Sequence, residues 1–311
     1  MRLLNADEIL PRLGWRALIE ALRSGHRDGV DAVDRSLLTR ERDGLAPQHL
    51  LVWPAWRFDA FCGVKVVSVF PGGDPADATN HTVYLLFDGR SGKPLATITG
   101  ASFTTWKTAA DSALGADHLA SPDARTLLMV GAGAQAAAQI AAHRTVRPTI
   151  DRVIIWNRTP GRAAALAADL SRTVGTVDIV EDLAGAVVEA DIIACATAAT
   201  EPLIRGGWLR PGTHLDLVGG FTNAMREADD EAARRARFFV DSRRFTIDQC
   251  GDVTGPMASG ALARDGIEGD LFDLCRGTVT GRSSERDITL FKNAGGGHLD
   301  LLTAIAIYQA A

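Results

Sequence analysis

Residues 124–147 read ARTLLMVGAGAQAAAQIAAHRTVR, and this stretch decides the fold. Thr126–Val130 is an apolar run with no polar interruption after its threonine, as expected of a strand buried on both faces. Gly131-Ala-Gly133-Ala-Gln-Ala136 follows and fits G-x-G-x-x-G/A. An alanine-rich segment of helical length comes next. In this context the first glycine allows a tight turn and the second lets backbone approach a pyrophosphate. The small third residue lets the helix pack on the strand, and the helix N-terminus meets the phosphate charge.

The same rhythm repeats downstream. RVIIWNRTPGRAAALAADL (152–170) is strand, turn and helix; TVDIVEDLAGAVVEADIIACAT (176–197) is strand, short helix and strand; THLDLVGG (213–220) and RARFFVDS (235–242) add two strands. Alternation of buried strands with helices predicts a parallel, doubly wound α/β sheet of Rossmann type. The end of the second strand bears on the cofactor. An NAD-binding chain usually carries a carboxylate there for the ribose 2′-hydroxyl. This chain has Asn157, Arg158 and Thr159, with Arg162 one turn on. Two guanidinium groups and no carboxylate suit a 2′-phosphate. NADP(H) is therefore the expected cofactor and NAD(H) the second choice.

Upstream the pattern differs. Residues 1–36 read as helical, with Asn5 able to cap a first helix and apolar spacing from Trp15 to Leu22. LLVWPAW (50–56), GVKVVSVF (63–70) and TVYLLFD (82–88) are β-rich runs, and DGRSGKP (88–94) is a hairpin turn into LATITG. These predict a mostly antiparallel sheet, followed by a helix over 104–119. The C-terminal helix after FKNAGGGHLD (291–300) is expected to return to this first domain, because its apolar face needs a partner. The expected division is 1–120 plus 288–311 for an α+β domain built from both chain ends, and 121–287 for the dinucleotide-binding domain.

Bulk properties bound the function. A chain of 311 residues exceeds one comfortable core, which agrees with two domains. A net charge of −5 argues against bulk electrostatic binding of nucleic acid or anionic membrane. Cys62, Cys195, Cys250 and Cys275 form no CxxC pair and read as reduced thiols of a cytoplasmic protein. The N-terminus lacks a signal-peptide core, and no run reaches 18 apolar residues. The seven histidines show no metal-ligand spacing, so no metal site is expected.

Five blocks together carry a family resemblance: GVKVVSVFPGG (63–73), LLFDGRSGKPLATITGASFTTWKTAADSALGADHLA (85–120), the glycine motif, HLDLVGGFTNAMREADD (214–230) and SSERDITLFKNAG (283–295). In this order they resemble the ornithine cyclodeaminase/μ-crystallin family. The resemblance implies a substrate-binding and dimerising domain made from both chain ends, with a Rossmann domain between, and hence a homodimer. It also implies a small carboxylate substrate. The family includes cyclodeaminases, reductases of cyclic imino acids, alanine dehydrogenases and the nucleotide-dependent binding protein μ-crystallin.

Carried over residue by residue, the resemblance makes Lys65 of the VK motif the principal substrate lysine. It suggests an upstream arginine, for which Arg40 fits best and Arg42 is the alternative. Lys107 in WKTAAD stands where the family has an arginine, which keeps the charge but not the bidentate geometry. Asn80 and His81 fall where the family lines its pocket, and His81 could relay a proton. Lys65 could bind the carboxylate or supply a proton through water; the residues alone leave both open. Cofactor contacts are expected at Thr108, Gly131, Gly133, Ala134, Gln135, Asn157, Arg158, Thr159, Arg162, Thr197, Val218, Gly219 and Asn293.

One difference separates the activities. Where cyclodeaminases resemble VGGD, this chain has Val218-Gly219-Gly220-Phe221. Phenylalanine neither accepts a proton nor orients an ammonium group, and Asn223 or Asp216 would have to substitute. Reduction of a cyclic imino acid, to L-proline or L-pipecolate, is therefore the expected activity. Ornithine cyclodeamination, an alanine dehydrogenase-like reaction and non-catalytic ligand binding are the alternatives.

Overall fold

The computed structural model describes residues 1–32, 34–71, 80–220 and 222–311, with backbone alone at Ala32 and Asn80. The chain begins with β1 (Arg2–Asn5), α1 (Ala6–Leu13), α2 (Trp15–Asp28), β2 (Asp31–Ala32), β3 (Ser36–Arg42), β4 (Leu45–Arg57), β5 (Phe61–Val69), β6 (Asn80–Asp88), β7 (Pro94–Thr99) and α3 (Ser102–Leu119). It continues with β8 (Thr126–Val130), α4 (Ala136–Val146), β9 (Arg152–Trp156), α5 (Pro160–Leu170), β10 (Thr176–Ile179), α6 (Leu183–Glu189), β11 (Ile192–Cys195) and β12 (His214–Leu217). The last elements are α7 (Asp230–Arg235), β13 (Arg237–Val240), α8 (Arg243–Thr246), α9 (Gly251–Ala258), β14 (Ile267–Asp270), α10 (Leu271–Arg276), β15 (Thr289–Lys292) and α11 (Gly297–Ala310).

Two units result: Met1–Lys107 with Gly296–Ala311, and Thr108–Gly295. This division differs from the expected boundaries at 120 and 288. The reasons are local. Helix α3 runs without a break through Lys107, and β15 is a full member of the second unit's parallel ladder.

In the first unit the sheet order is β1-β7-β6-β5-β4-β2, with β3 also on β4. All pairs are antiparallel except β1 with β7. The 88–94 turn forms because the Asp88 carboxylate accepts the amides of Arg90 and Ser91. Trp53, Lys65, Tyr84 and Ile98 lie in one row across β4, β5, β6 and β7. Side chains alternate along a strand, so this row faces one side together with Leu86 and Ala96, and all six are buried. Helix α11 packs on β4, β5, β6 and α2. Gly25 permits the helix contact, since a Cβ there would meet the Leu302 side chain at 2.2 Å.

The N-terminal region is only partly helical. Asn5 caps α1 by accepting from the Asp7 amide, as its sequence suggests. Arg2–Asn5 and Ser36–Arg42, however, are strands. Each is extended because it pairs with a strand distant in sequence, β7 or β4, which local periodicity does not report.

In the second unit the strands are all parallel, in the order β10-β9-β8-β11-β12-β15-β13-β14. Alternate residues feed two apolar layers. Leu127, Met129, Val153 and Ile155 pack with Ile140 and Ala163 of α4 and α5. Leu128, Val130 and Ile193 pack with Val187, Leu215 and Leu217. The connections leave β8 toward β9 on one side and continue through β11 on the other. A crevice for a ligand opens at such a reversal.

Candidate functional site

The glycine turn sits at that reversal. Gly131 has φ +102°, a conformation that disfavours any side chain, and a Cβ there would meet the Ala196 carbonyl oxygen at 2.6 Å. Its amide donates to Trp156 O at 2.8 Å. Gly133 faces open space, with nothing within 4 Å of a built Cβ, and Gly133 and Ala134 are exposed. Helix α4 starts at Ala136 behind Gln135, whose side chain does not cap it; the Ala136 amide donates to Gly133 O at 3.0 Å. The Gln135 Oε1 atom is buried without a hydrogen-bond partner among the described residues.

A cavity of about 380 Å³ opens here, lined by Gly131–Gly133, Trp156, Asn157, Arg158, Thr159, Arg162, Ala196–Ala199 and Leu203. None of these residues is acidic. Asn157 Oδ1 accepts the Ala132 amide at 3.0 Å, and its Nδ2 donates to Thr159 O at 2.8 Å. Asn157 therefore braces the glycine turn against the next loop, instead of standing free as a ligand contact. Arg158, Thr159 and Arg162 are exposed at the rim.

A buried network that sequence reading missed holds the neighbouring loops. Glu227 accepts from Thr197 N at 2.7 Å, Thr197 Oγ1 at 2.8 Å and Gly219 N at 2.7 Å. Asp252 accepts from Glu227 N at 2.7 Å and pairs with Lys292 at 3.2 Å. Burial pushes the Glu227 carboxyl up, while the Lys292 charge pulls it back. Gly219 is required where it stands, because a Cβ would lie 1.9 Å from Thr197 O. Val218 N donates to Cys195 O at 2.8 Å. Asn293 is also interior: its Nδ2 donates to Thr108 O and Ser112 Oγ, both at 3.0 Å. Thr197 is half-buried on the cavity wall, whereas Val218 and Asn293 support the strand ends. The only sequence signals for the network are the acidic run READD and the lysine of FKN.

The two expected substrate lysines lie in the first unit. Lys65 Nζ is 2.7 Å from Asp300 Oδ2, and Lys107 Nζ is 2.5 Å from Asp300 Oδ1. All three are buried: 6% of Lys65, 3% of Lys107 and none of Asp300 is exposed. Burial pushes the Lys65 ammonium down to about 8, with Asp300 opposing that shift and Lys107 adding to it. Asp300 is held below the usual carboxylate range by Lys107 and Lys65, against the effect of burial. Lys65 also lies 5.0 Å from the centre of the Trp53 ring. The buried Tyr84 hydroxyl has no hydrogen-bond partner among the described residues. Two ammonium groups around one carboxylate leave a buried cluster with an excess positive charge.

Other expected site residues are not part of this cluster. Arg40 pairs with Gln48, and His81 pairs with Ser68. Both therefore face away from the Lys65 row, and both are exposed. A one-residue step along a strand reverses the face, so closeness in sequence to a pocket strand misleads here. Arg42 donates to Ala46 O and Pro71 O, which makes it a brace. Arg35 lies against the Trp53 ring beside the cluster, its guanidinium 5.4 Å from the ring centre. The Asn80 side chain and Phe221 lie outside the described residues. Asp216 is fully buried within β12, pushed up to about 7 by burial, with His143 Nε2 at 3.6 Å. It is not available for substrate chemistry. Asn223 accepts from Thr254 Oγ1 at 3.2 Å.

A parallel sheet with a glycine turn at its reversal, in one chain with a buried lysine pair, defines a dinucleotide-binding α/β protein. The model of the ornithine cyclodeaminase/mu-crystallin family matches residues 15–311, and the chain belongs to that family. It is 42% identical over 302 residues to a Delta(1)-pyrroline-2-carboxylate reductase of Paracoccus denitrificans, covering 97% of this chain and 94% of the relative. The solved Delta(1)-pyrroline-2-carboxylate reductase of Thermococcus litoralis, in complex with NADH and L-proline, superposes with a TM-score of 0.91 at 30% identity; 100% of this chain and 97% of that one are covered. The iminosuccinate reductase of Paracoccus denitrificans, in complex with NAD+, follows with a TM-score of 0.88 at 27% identity, covering 100% and 96%. Among the described residues no helix is long and apolar enough to cross a membrane.

Proposed function

We propose that this protein is an NADPH-dependent reductase of cyclic imino acids, converting 1-pyrroline-2-carboxylate or 1-piperideine-2-carboxylate to L-proline or L-pipecolate. The observation that carries this reading is the buried pair Lys65 and Lys107 sharing Asp300, a seat for one carboxylate. The relative at 42% identity, a Delta(1)-pyrroline-2-carboxylate reductase, supports the imine as the reacting group.

The residues of the second unit fit a dinucleotide. Gly131 disfavours a side chain, Gly133 is open, and α4 begins without a side-chain cap, an N-terminus whose dipole suits a pyrophosphate. When bound, the dinucleotide supplies the hydride. Arg158 and Arg162, on an acid-free wall, favour a 2′-phosphate, so NADP(H) is preferred and NAD(H) is the second choice. Thr197 and Gly219 are held in place by Glu227.

Reduction places a hydride on the imine carbon and leaves one proton on the ring nitrogen. Lys65 and Lys107 orient the substrate through its carboxylate. Lys65, brought down to about 8, can exchange a proton near neutral pH, directly or through water. Arg35, beside Trp53, is the arginine we assign to the rim of this site in place of Arg40. Cyclodeamination is disfavoured because Phe221 replaces the acid of the VGGD turn.

We further read the protein as a cytoplasmic homodimer. The sheet face opposite Lys65 carries Leu38, Leu50 and Trp56, which are 58%, 38% and 46% exposed, and calls for a partner surface. Its four cysteines form no disulfide, which suits a reducing compartment. The decisive assay follows NADPH oxidation by the purified protein with freshly prepared cyclic imino acids. Pyruvate plus ammonia is the control for alanine dehydrogenase activity. No oxidation with either imine refutes the reading.

A further inference from the structure

Asp300 carries the same charge as a substrate carboxylate and would repel it, yet it is fully buried against both expected substrate lysines. It reaches the site from α11, while Lys65 comes from β5 and Lys107 from α3. Each of its oxygens takes one ammonium, at 2.7 and 2.5 Å. A carboxylate in this position does two things at once. It fixes the direction of both lysines, and its charge opposes the loss of the Lys65 proton that burial and the neighbouring Lys107 favour.

We propose that Asp300 is the positioning residue of the substrate seat, holding Lys65 and Lys107 charged and aligned so that both act on one carboxylate. The inference rests on the reading of the lysine pair as the substrate seat and deepens it. The start of α11 is built to place Asp300. Gly297 permits close packing on β4, since a Cβ there would meet Pro54 O at 2.8 Å and the Trp53 ring at 2.9 Å. A larger residue at 297 would lift the helix and withdraw Asp300 from the lysines.

Among the described residues, Asp300 is the acid that Lys65 and Lys107 share; Asp111, four residues after Lys107 on α3, is also buried. Trp53 from β4 offers only a ring face, and Tyr84 from β6 is a neutral phenol whose ionisation burial opposes. His298 on α11 is pushed well down by burial and stays neutral, and it meets His26 of α2 edge to face. Arg35 is exposed and positive, so it cannot replace a carboxylate. The Lys65 ammonium therefore depends on Asp300 for its proton, and Lys107 competes for the same acid.

The test is calorimetric titration of the NADP+-saturated protein with pyrrole-2-carboxylate, a planar anion with no imine to reduce, between pH 6 and 9.5. In the wild type, affinity holds to about pH 8 and then falls as Lys65 loses its proton. In Asp300→Asn the fall begins at least one pH unit lower, and affinity at pH 8 is at least tenfold weaker. At pH 6 the two proteins differ by less than about threefold. Lys107→Met leaves Lys65 sole claim on Asp300 and moves the midpoint upward by half a unit or more. That variant keeps the test decisive if Asp300→Asn does not fold. A midpoint unmoved in either variant, or a loss of affinity equal at every pH, overturns the proposal. Wild-type protein that binds the anion with this profile but reduces no cyclic imine refutes the proposed reaction alone.

Discussion

Removing the two rim arginines tests the cofactor reading most directly. A guanidinium and a phosphate about 5 Å apart attract by roughly 0.8 kcal/mol in bulk water and roughly 3 kcal/mol at an effective dielectric of 20. Arg158 and Arg162 are exposed, so each contributes toward the lower part of that range, about 1–1.5 kcal/mol. That corresponds to a factor of about 5–12 in affinity per arginine. Arg158→Ala or Arg162→Ala should raise the NADPH KM about tenfold, and the double variant about a hundredfold. The NADH KM should change less than about twofold, because NADH has no 2′-phosphate for either side chain to hold. The assay is steady-state kinetics with both cofactors at a fixed imino acid concentration. Repeating it in 0.5 M KCl, where the screening length is roughly 4 Å, should shrink the wild-type advantage for NADPH. Equal losses for both cofactors, or no loss for NADPH, refute the argument from this cavity.

Other outcomes follow from the same geometry. Asn157→Asp should invert the cofactor preference toward NADH, yet weaken both cofactors, because Asp cannot donate to Thr159 O as Asn157 does; fluorescence titration with NADH and NADPH measures this. Activity should decline as pH rises through about 8, since Lys65 is charged below that value and neutral above it; a kcat/KM profile still flat at pH 9.5 contradicts the assignment. Gly131→Ala sets a methyl 2.6 Å from Ala196 O at φ +102°, so NADPH should raise the Tm of the wild type but not of the variant in a thermal shift assay. Leu50→Glu on the open sheet face should halve the mass in light scattering; an unchanged mass places the dimer contact elsewhere or excludes it.

Much of the fold was legible because its signals are local. The glycine turn, the apolar strand before it and the alanine-rich helix after it are contiguous, and the structure builds them as β8, the turn at Gly131 and α4. The 88–94 turn was equally local, since an Asp side chain bonds amides two and three residues on. The N-terminal strands were not legible, because what extends Arg2–Asn5 is a partner more than 90 residues away. Nor does periodicity report that β15 inserts between β12 and β13.

The site divides along the same line. Sequence by itself determined the dinucleotide motif, the acid-free second strand with its two arginines, and the suspicion attached to a lysine set among valines at Lys65. Only the tertiary structure decided which cations share one buried acid. Pleating turned Arg40 and His81 to the other face, while α11 brought Asp300 from the far end of the chain to bridge Lys65 and Lys107. An isolated charge buried in a dry core must find an opposite charge, but the distance along the chain to that partner is unconstrained, so only the packed fold reveals it.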